Sequence, residues 1–317
     1  VKNVKNMEYM FIGMTKIQNL NLDWENECGV NNTRGMFSGL KSIRSLNLTK
    51  FDTRNVTNMS AMFENMSSLE NIQFGEKFIT KNVTTMGGMF SNDVGLKTLD
   101  LSRFDTSNVT NMEYMFAQDH KLNQLNLSNF NTSRVQNMSY MFNNMWALEK
   151  LDVSSFDTSN VMNMKDMFGG VAKVTTLNLD NFNTSKVTDM SNMFNSMLTI
   201  ENLNLPSFDT RSVTTMNGMF GGMEGLKNLN ISSFDTSSVR DFRYMFGLGT
   251  VPVYDHNLVD HLEHIYTSKK FVISAMEAGG SEGIFYRRPS LTVGAGCTYV
   301  SGTGNPFCIG STWVVLP

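Results

Sequence analysis

The dipeptide Met-Phe recurs at residues 10, 36, 62, 89, 115, 141, 167, 193, 219 and 245. Each step is 26 residues, except one of 27, whose extra residue falls in Phe74-Gly75-Glu76-Lys77-Phe78. A period this strict predicts a repeat stack, because one 26-residue unit cannot bury its own apolar side and must share it with its neighbours.

One copy shows the internal logic. Leu125-Asn126-Leu127 alternates as a short strand does. Phe130 follows, then Asn131, Thr132 and Ser133, which are turn and cap residues. Val135, Met138, Met141, Phe142 and Met145 recur every three or four residues, the spacing of one helical face. The expectation is an α/β repeat solenoid of leucine-rich-repeat type. It has a parallel sheet on a concave face and short helices or helical turns on a convex face. Strands stacked at about 4.8 Å would make ten repeats a curved rod on the order of 45–50 Å long.

Two phenylalanine columns account for 18 of the 23 phenylalanines: the ten of Met-Phe, and Phe51, Phe78, Phe104, Phe130, Phe156, Phe182, Phe208 and Phe234. All but two of the 25 methionines, Met162 and Met276, fall on repeat columns. Both residue types are therefore expected to be core, methionine as an adaptable filler.

The string Phe104-Asp-Thr-Ser-Asn-Val-Thr-Asn-Met-Glu-Tyr-Met-Phe116 and its copies resemble the 26-residue repeat of the BspA-like leucine-rich-repeat bacterial surface proteins. The resemblance covers about residues 1–246. It implies a secreted or surface-anchored protein that attaches to host tissue, matrix proteins or mucus. The family often has Cys three residues after the Phe. This chain has Met14, Leu40, Met66, Asp93, Asp119, Met145, Val171, Met197 and Met223 there.

Sequons such as Asn55-Val-Thr57, Asn108-Val-Thr110 and Asn137-Met-Ser139 lie inside the stacking repeat, where glycans would crowd. A bacterial exporter without N-glycosylation is the expected source. The repeat pattern is already running at Val4 and Met7, so a preceding signal sequence or cap is expected. No apolar run reaches the ~18 residues of a membrane span. Net charge is -3, which gives no basic footprint for nucleic acid.

The residue between the last two leucines of each strand should point outward. That column is Asn21, Asn47, Gln73, Asp100, Asn126, Asp152, Asn178, Asn204 and Asn230. It is the candidate ligand face, for a host or environmental protein or glycan such as mucin or a matrix protein; the alternative is a structural amide ladder. The acids after the ladder Phe, such as Asp52, Asp105 and Asp157, invite a calcium reading, but Asx turns and caps account for them.

Residues 247–317 are expected to be a separate α+β cap. Leu258, Val259, Leu262, Ile265 and Tyr266 suggest an amphipathic helix, and Phe271-Val272-Ile273 and Trp313-Val314-Val315-Leu316 suggest strands. On such a helix His256, Asp260 and His264 would share a face, a metal-capable spacing that a solvated face explains as well. Cys297 and Cys308 suggest a disulfide across a small hairpin, in an oxidising compartment; two unpaired thiols are the alternative. No nucleophile–base pair, phosphate loop, dinucleotide fingerprint or metal-protease motif occurs, so no enzyme and no cofactor is expected. The rival functions are a structural spacer or a self-associating surface layer.

Overall fold

The structure is a computed structural model. It describes residues 3–22, 29–248, 259–267 and 271–288, and the backbone of 297–300 and 305–308. Two compact units, Val1–Asp157 and Thr158–Pro317, divide the chain.

Leucine–asparagine alternation produces short strands with one wet face. In the first unit β1 (Ser45–Leu48) pairs in parallel with β2 (Asn71–Phe74), Ser45 opposite Asn71 and Leu48 opposite Phe74. In the second unit β3 (Asn202–Asn204), β4 (Asn228–Ile231) and β5 (His264–Thr267) form a three-stranded parallel sheet. Segments 98–101, 124–127, 150–153 and 176–179 keep the same in–out alternation but form no strand. The strand-face sheet is thus discontinuous. A second parallel column is better connected, with bridges Asn6–Asn32–Asn58–Thr85–Asn111–Asn137 in the first unit and Asn163–Asp189–Thr215–Asp241 in the second.

No α-helix occurs among the described residues, so of the short helices or helical turns expected on the convex face the helices are corrected to turns. The reason lies in where the backbone N–H groups go. Met112, Tyr114, Phe116 and Gln118 donate to the next repeat, to the carbonyls of Asn137, Ser139, Met141 and Asn143, at 2.7–3.0 Å. Between them Met115 and Ala117 close four-residue turns, their N–H groups donating to the carbonyls of Met112 and Tyr114 three residues back. An α-helix needs each N–H for its own fourth neighbour back and negative φ throughout. Here each repeat spends alternate N–H groups on stacking and takes left-handed φ at two places. One column runs Tyr9, Gly35, Ala61, Gly88, Tyr114 and Tyr140 in the first unit. The other runs Gly13, Gly39, Asn65, Asn92, Gln118 and Asn144. The three-residue spacing of methionines reflects successive turns of this kind.

The core is as expected. Phe37, Phe63, Phe90, Phe116 and Phe142 are fully buried and stack on one another 5.4–5.9 Å apart in the first unit. Phe168, Phe194, Phe220 and Phe246 do so in the second, at 5.6–5.8 Å. In the first unit Met138, Met141 and Met145 have no exposure.

Buried threonines tie repeat to repeat. The Thr132 hydroxyl donates to the Asp157 carbonyl at 2.9 Å and accepts the Asp157 N–H at 2.8 Å. Thr80 and Thr106 clasp Asp105 and Asn131 in the same way, and Thr158 and Thr210 clasp Asn183 and Asp235. The extra residue of the 27-residue repeat is accommodated at Gly75, where a Cβ would strike the Thr49 carbonyl.

The sequence pattern stops at Phe246, but the backbone path continues. Residues 264–266, expected in a helix, lie in strand β5, and Ile265 pairs with Leu229. Phe271-Val272-Ile273 is not a strand; Val272 occupies the threonine clasp of Thr236, at 2.6 Å in both directions. Phe242, Tyr244 and Phe246 donate to Gly280, Glu282 and Ile284, and Phe285 stacks on Phe246 at 5.1 Å. Residues 259–267 and 271–288 thus follow the course of an eleventh turn, with Ile284-Phe285 where Met-Phe would stand. Arg288, 1 % exposed, closes it. Its guanidinium pairs with Asp260 at 2.8 Å and donates to the carbonyls of Phe246 (2.8 Å) and Met223 (3.3 Å).

Beyond it β6 (Cys297–Val300) and β7 (Asn305–Cys308) are antiparallel, with Cys297 opposite Cys308. Cys28, His256 and Trp313-Val314-Val315-Leu316 lie outside the described residues.

Candidate functional site

The strand-face column points where its alternation demands. Asn21, Asn47, Gln73, Asp100, Asn126, Asp152, Asn178 and Asn204 are exposed, and Asn230 is half-buried beside β5. Asn47, Asp100, Asn126, Asp152 and Asn178 share a local role. The side-chain oxygen of Asn47 accepts the Thr49 N–H at 3.0 Å, that of Asn126 the Ser128 N–H at 3.1 Å, and that of Asn178 the Asp180 N–H at 2.9 Å. Asp100 and Asp152 do the same to Ser102 and Ser154, at 2.9 Å each. Each of these residues caps the turn that follows its extended segment. The bonds from the Ser102 N–H and hydroxyl hold the Asp100 carboxyl below the usual carboxylate range, and those from Ser154 do the same for Asp152. The inter-repeat amide bond expected of a ladder occurs instead one column over, from Asn228 to Asn202 at 2.7 Å. In the first unit Asp100, Asn126, Gln124 and Lys150 border a depression of about 520 Å³.

The acids after the ladder Phe are turn formers. Asp105 accepts the Ser107 N–H and hydroxyl at 3.0 and 2.6 Å, and Asp52 pairs with Arg54 at 2.8 Å. Of the expected His256–Asp260–His264 helix face, His256 lies outside the described residues; Asp260 is held by Arg288 and His264 opens β5, so these two do not share a helix. Among the described residues no three His, Cys, Asp or Glu side chains cluster to hold a metal ion. No helix of the described residues is long and apolar enough to cross a membrane.

The turn side carries features that the strand-face reading overlooked. A groove of about 720 Å³ lies in the first unit. It exists because Gly87 and Gly88 stand where the next repeat has Glu113 and Tyr114. Tyr114, 39 % exposed, forms one wall and stacks on Tyr140 at 4.3 Å, the planes 5° apart. Asn58, Asn65, Asn92, Asn111 and Gln118 present amides along it. Gln118 also bonds the His120 ring at 3.2 Å, and His120 stacks flat on Trp146 at 4.0 Å. Glu64 lies in the groove, and burial raises its carboxyl above the usual range. The signal was present in the sequence: in a repeat this regular, the columns that change from copy to copy mark where the surface differs.

Beneath this region Asp93 and Asp119 replace the usual apolar residue and are fully buried. Asp93 accepts the Met66 N–H and Asp119 the Asp93 N–H, both at 2.8 Å. The second oxygen of each has no hydrogen-bond partner. Burial drives both carboxyls well above their ordinary range, and Asp119 raises Asp93 further.

Three overlapping segments, 1–93, 69–177 and 170–258, match the model of a family described as Mycoplasma protein of unknown function, DUF285. No curated protein and no solved structure matches the chain.

Proposed function

The chain belongs to the family described as Mycoplasma protein of unknown function, DUF285, and on that premise we propose that it is a bacterial cell-surface or secreted binding protein of the BspA-like leucine-rich-repeat kind. It presents its strand face to a host or environmental macromolecule, protein or glycan. The observation that carries this reading is the strand-face column. Asn47, Asn126 and Asn178 are exposed, yet each has its side-chain oxygen held by its own turn. That bond restrains the rotamer of each amide. A row of hydrogen-bonding groups already ordered loses little side-chain entropy when a partner docks, so modest contacts add up.

The test uses the intact protein on an array of mucins, matrix proteins and glycans, with Asn47→Asp/Asn126→Asp as the variant. Asp fills the same turn at positions 100 and 152, so the fold should be retained while the amide donors are lost. Capture of at least one array member should fall tenfold or more, with an unchanged unfolding midpoint. Capture at the wild-type level by a folded variant, or no capture of any member by the wild type, would contradict the proposal.

A further inference from the structure

We propose that the turn-side groove of the first unit, at Gly87-Gly88 and Tyr114, is a binding site for a neutral oligosaccharide, separate from the strand face. Three observations converge on this chemistry. The first is shape: two adjacent glycines remove the side chains that neighbouring repeats place there, leaving a trough of about 720 Å³, large enough for several sugar rings. A Cβ on Gly87 would meet the Glu113 carbonyl and the Asn111 amide at 3.4 and 3.5 Å, so any larger residue there would reach into the trough.

The second is the lining. A sugar offers C–H faces and hydroxyl edges. C–H faces rest on aromatic rings, and hydroxyl edges pair with planar amides that donate and accept together. The groove supplies both, with the Tyr114 ring beside Asn92, Asn111 and Gln118. Those groups are held in place: Asn92 donates to Asn65 at 2.5 Å, Asn111 accepts the Glu113 N–H at 2.9 Å, and Tyr114 lies against Tyr140. Through Gln118 and His120 the surface continues to Trp146, a residue 51 % exposed whose ring is stacked flat on the imidazole, a second platform along the same path.

The third is charge. Among the described residues of the lining Arg34 is the one cation, against Glu64 and Glu113. That balance disfavours sulfated or carboxylated glycans and favours uncharged ones.

The test is titration calorimetry of the intact protein against hexasaccharides of β-1,4-glucose, β-1,4-N-acetylglucosamine and β-1,3-glucose, with a heparin-derived hexasaccharide as the anionic arm. Two variants follow the repeat's own precedents. Tyr114→Ala places at φ +56° the residue that Ala61 already is at φ +54°. Gly87→Glu/Gly88→Tyr fills the notch with the pair that stands at Glu113-Tyr114. At least one neutral hexasaccharide should bind with a sub-millimolar Kd. Both variants should weaken it tenfold or more, and Asn47→Asp/Asn126→Asp should not change it. Absence of binding by every neutral hexasaccharide, tighter binding of the heparin fragment, or wild-type affinity in both variants would overturn the proposal.

Discussion

A single hydroxyl group does unusual service in this chain. Thr132 is 1 % exposed, and its oxygen both donates to and accepts from the backbone of residue 157. Thr132→Val keeps the shape but leaves an N–H and a carbonyl buried without partners, which should cost about 1–3 kcal/mol by urea unfolding. Thr132→Ser should restore most of it. Asp93 and Asp119 oppose folding in a pH-dependent way. Their carboxyls hold protons to higher pH in the folded chain than in the unfolded one, because burial penalises the anion and Asp119 and Glu64 lie near Asp93. The folded state therefore binds more protons across that window, and stability falls as pH rises from the ordinary carboxylate value of about 3.9 toward the raised native values. Asp93→Met/Asp119→Met restores the residue type at Met66 and Met145. It should flatten the slope and stabilise the protein at pH 7 relative to pH 4. A slope that persists unchanged would contradict this assignment.

At the scale of the element, spacing told core from surface but did not tell helix from turn. Val135, Met138, Met141, Phe142 and Met145 are all buried, as the periodicity required. Three-residue spacing is common to a helical face and to successive turns, so periodicity alone could not choose between them. The deciding residues were Asn65, Asn92, Asn144 and Gly39, a column of types that tolerate left-handed φ, at +58° for Asn144. The same confusion placed a helix at 258–266, where Ile265 instead joins a sheet with Leu229. Asn144→Val should destabilise by roughly 1–2 kcal/mol, since a β-branched residue resists that conformation, while Asn144→Gly should be close to neutral. Far-UV circular dichroism should lack the strong 222 nm band of a helical solenoid; its presence would contradict the turn assignment. The strand-face column was legible because alternation has only two outcomes. The groove was not, because it arises from Gly87 and Gly88 being small beside Tyr114, a contrast between repeats that a consensus removes.

At the scale of the whole molecule, the last turn shows how a stack can end without its motif. Nothing in residues 259–288 repeats Met-Phe, yet Phe285 continues the ring stack and Val272 the threonine clasp. Backbone bonding and apolar size suffice for the path, so sequence identity can lapse where geometry does not. Arg288→Met would leave Asp260, with 3 % side-chain exposure, buried without its cation. That should cost about 3–5 kcal/mol in thermal or denaturant unfolding. The reading of function rests on the strand face being the docking surface. Hydrogen exchange of the intact chain, with and without a macromolecule captured on the array, tests that most directly. Slowed exchange centred on 45–49, 71–74, 98–102 and 124–128 is the predicted result; a footprint confined to 259–288, with those segments unchanged, would contradict it.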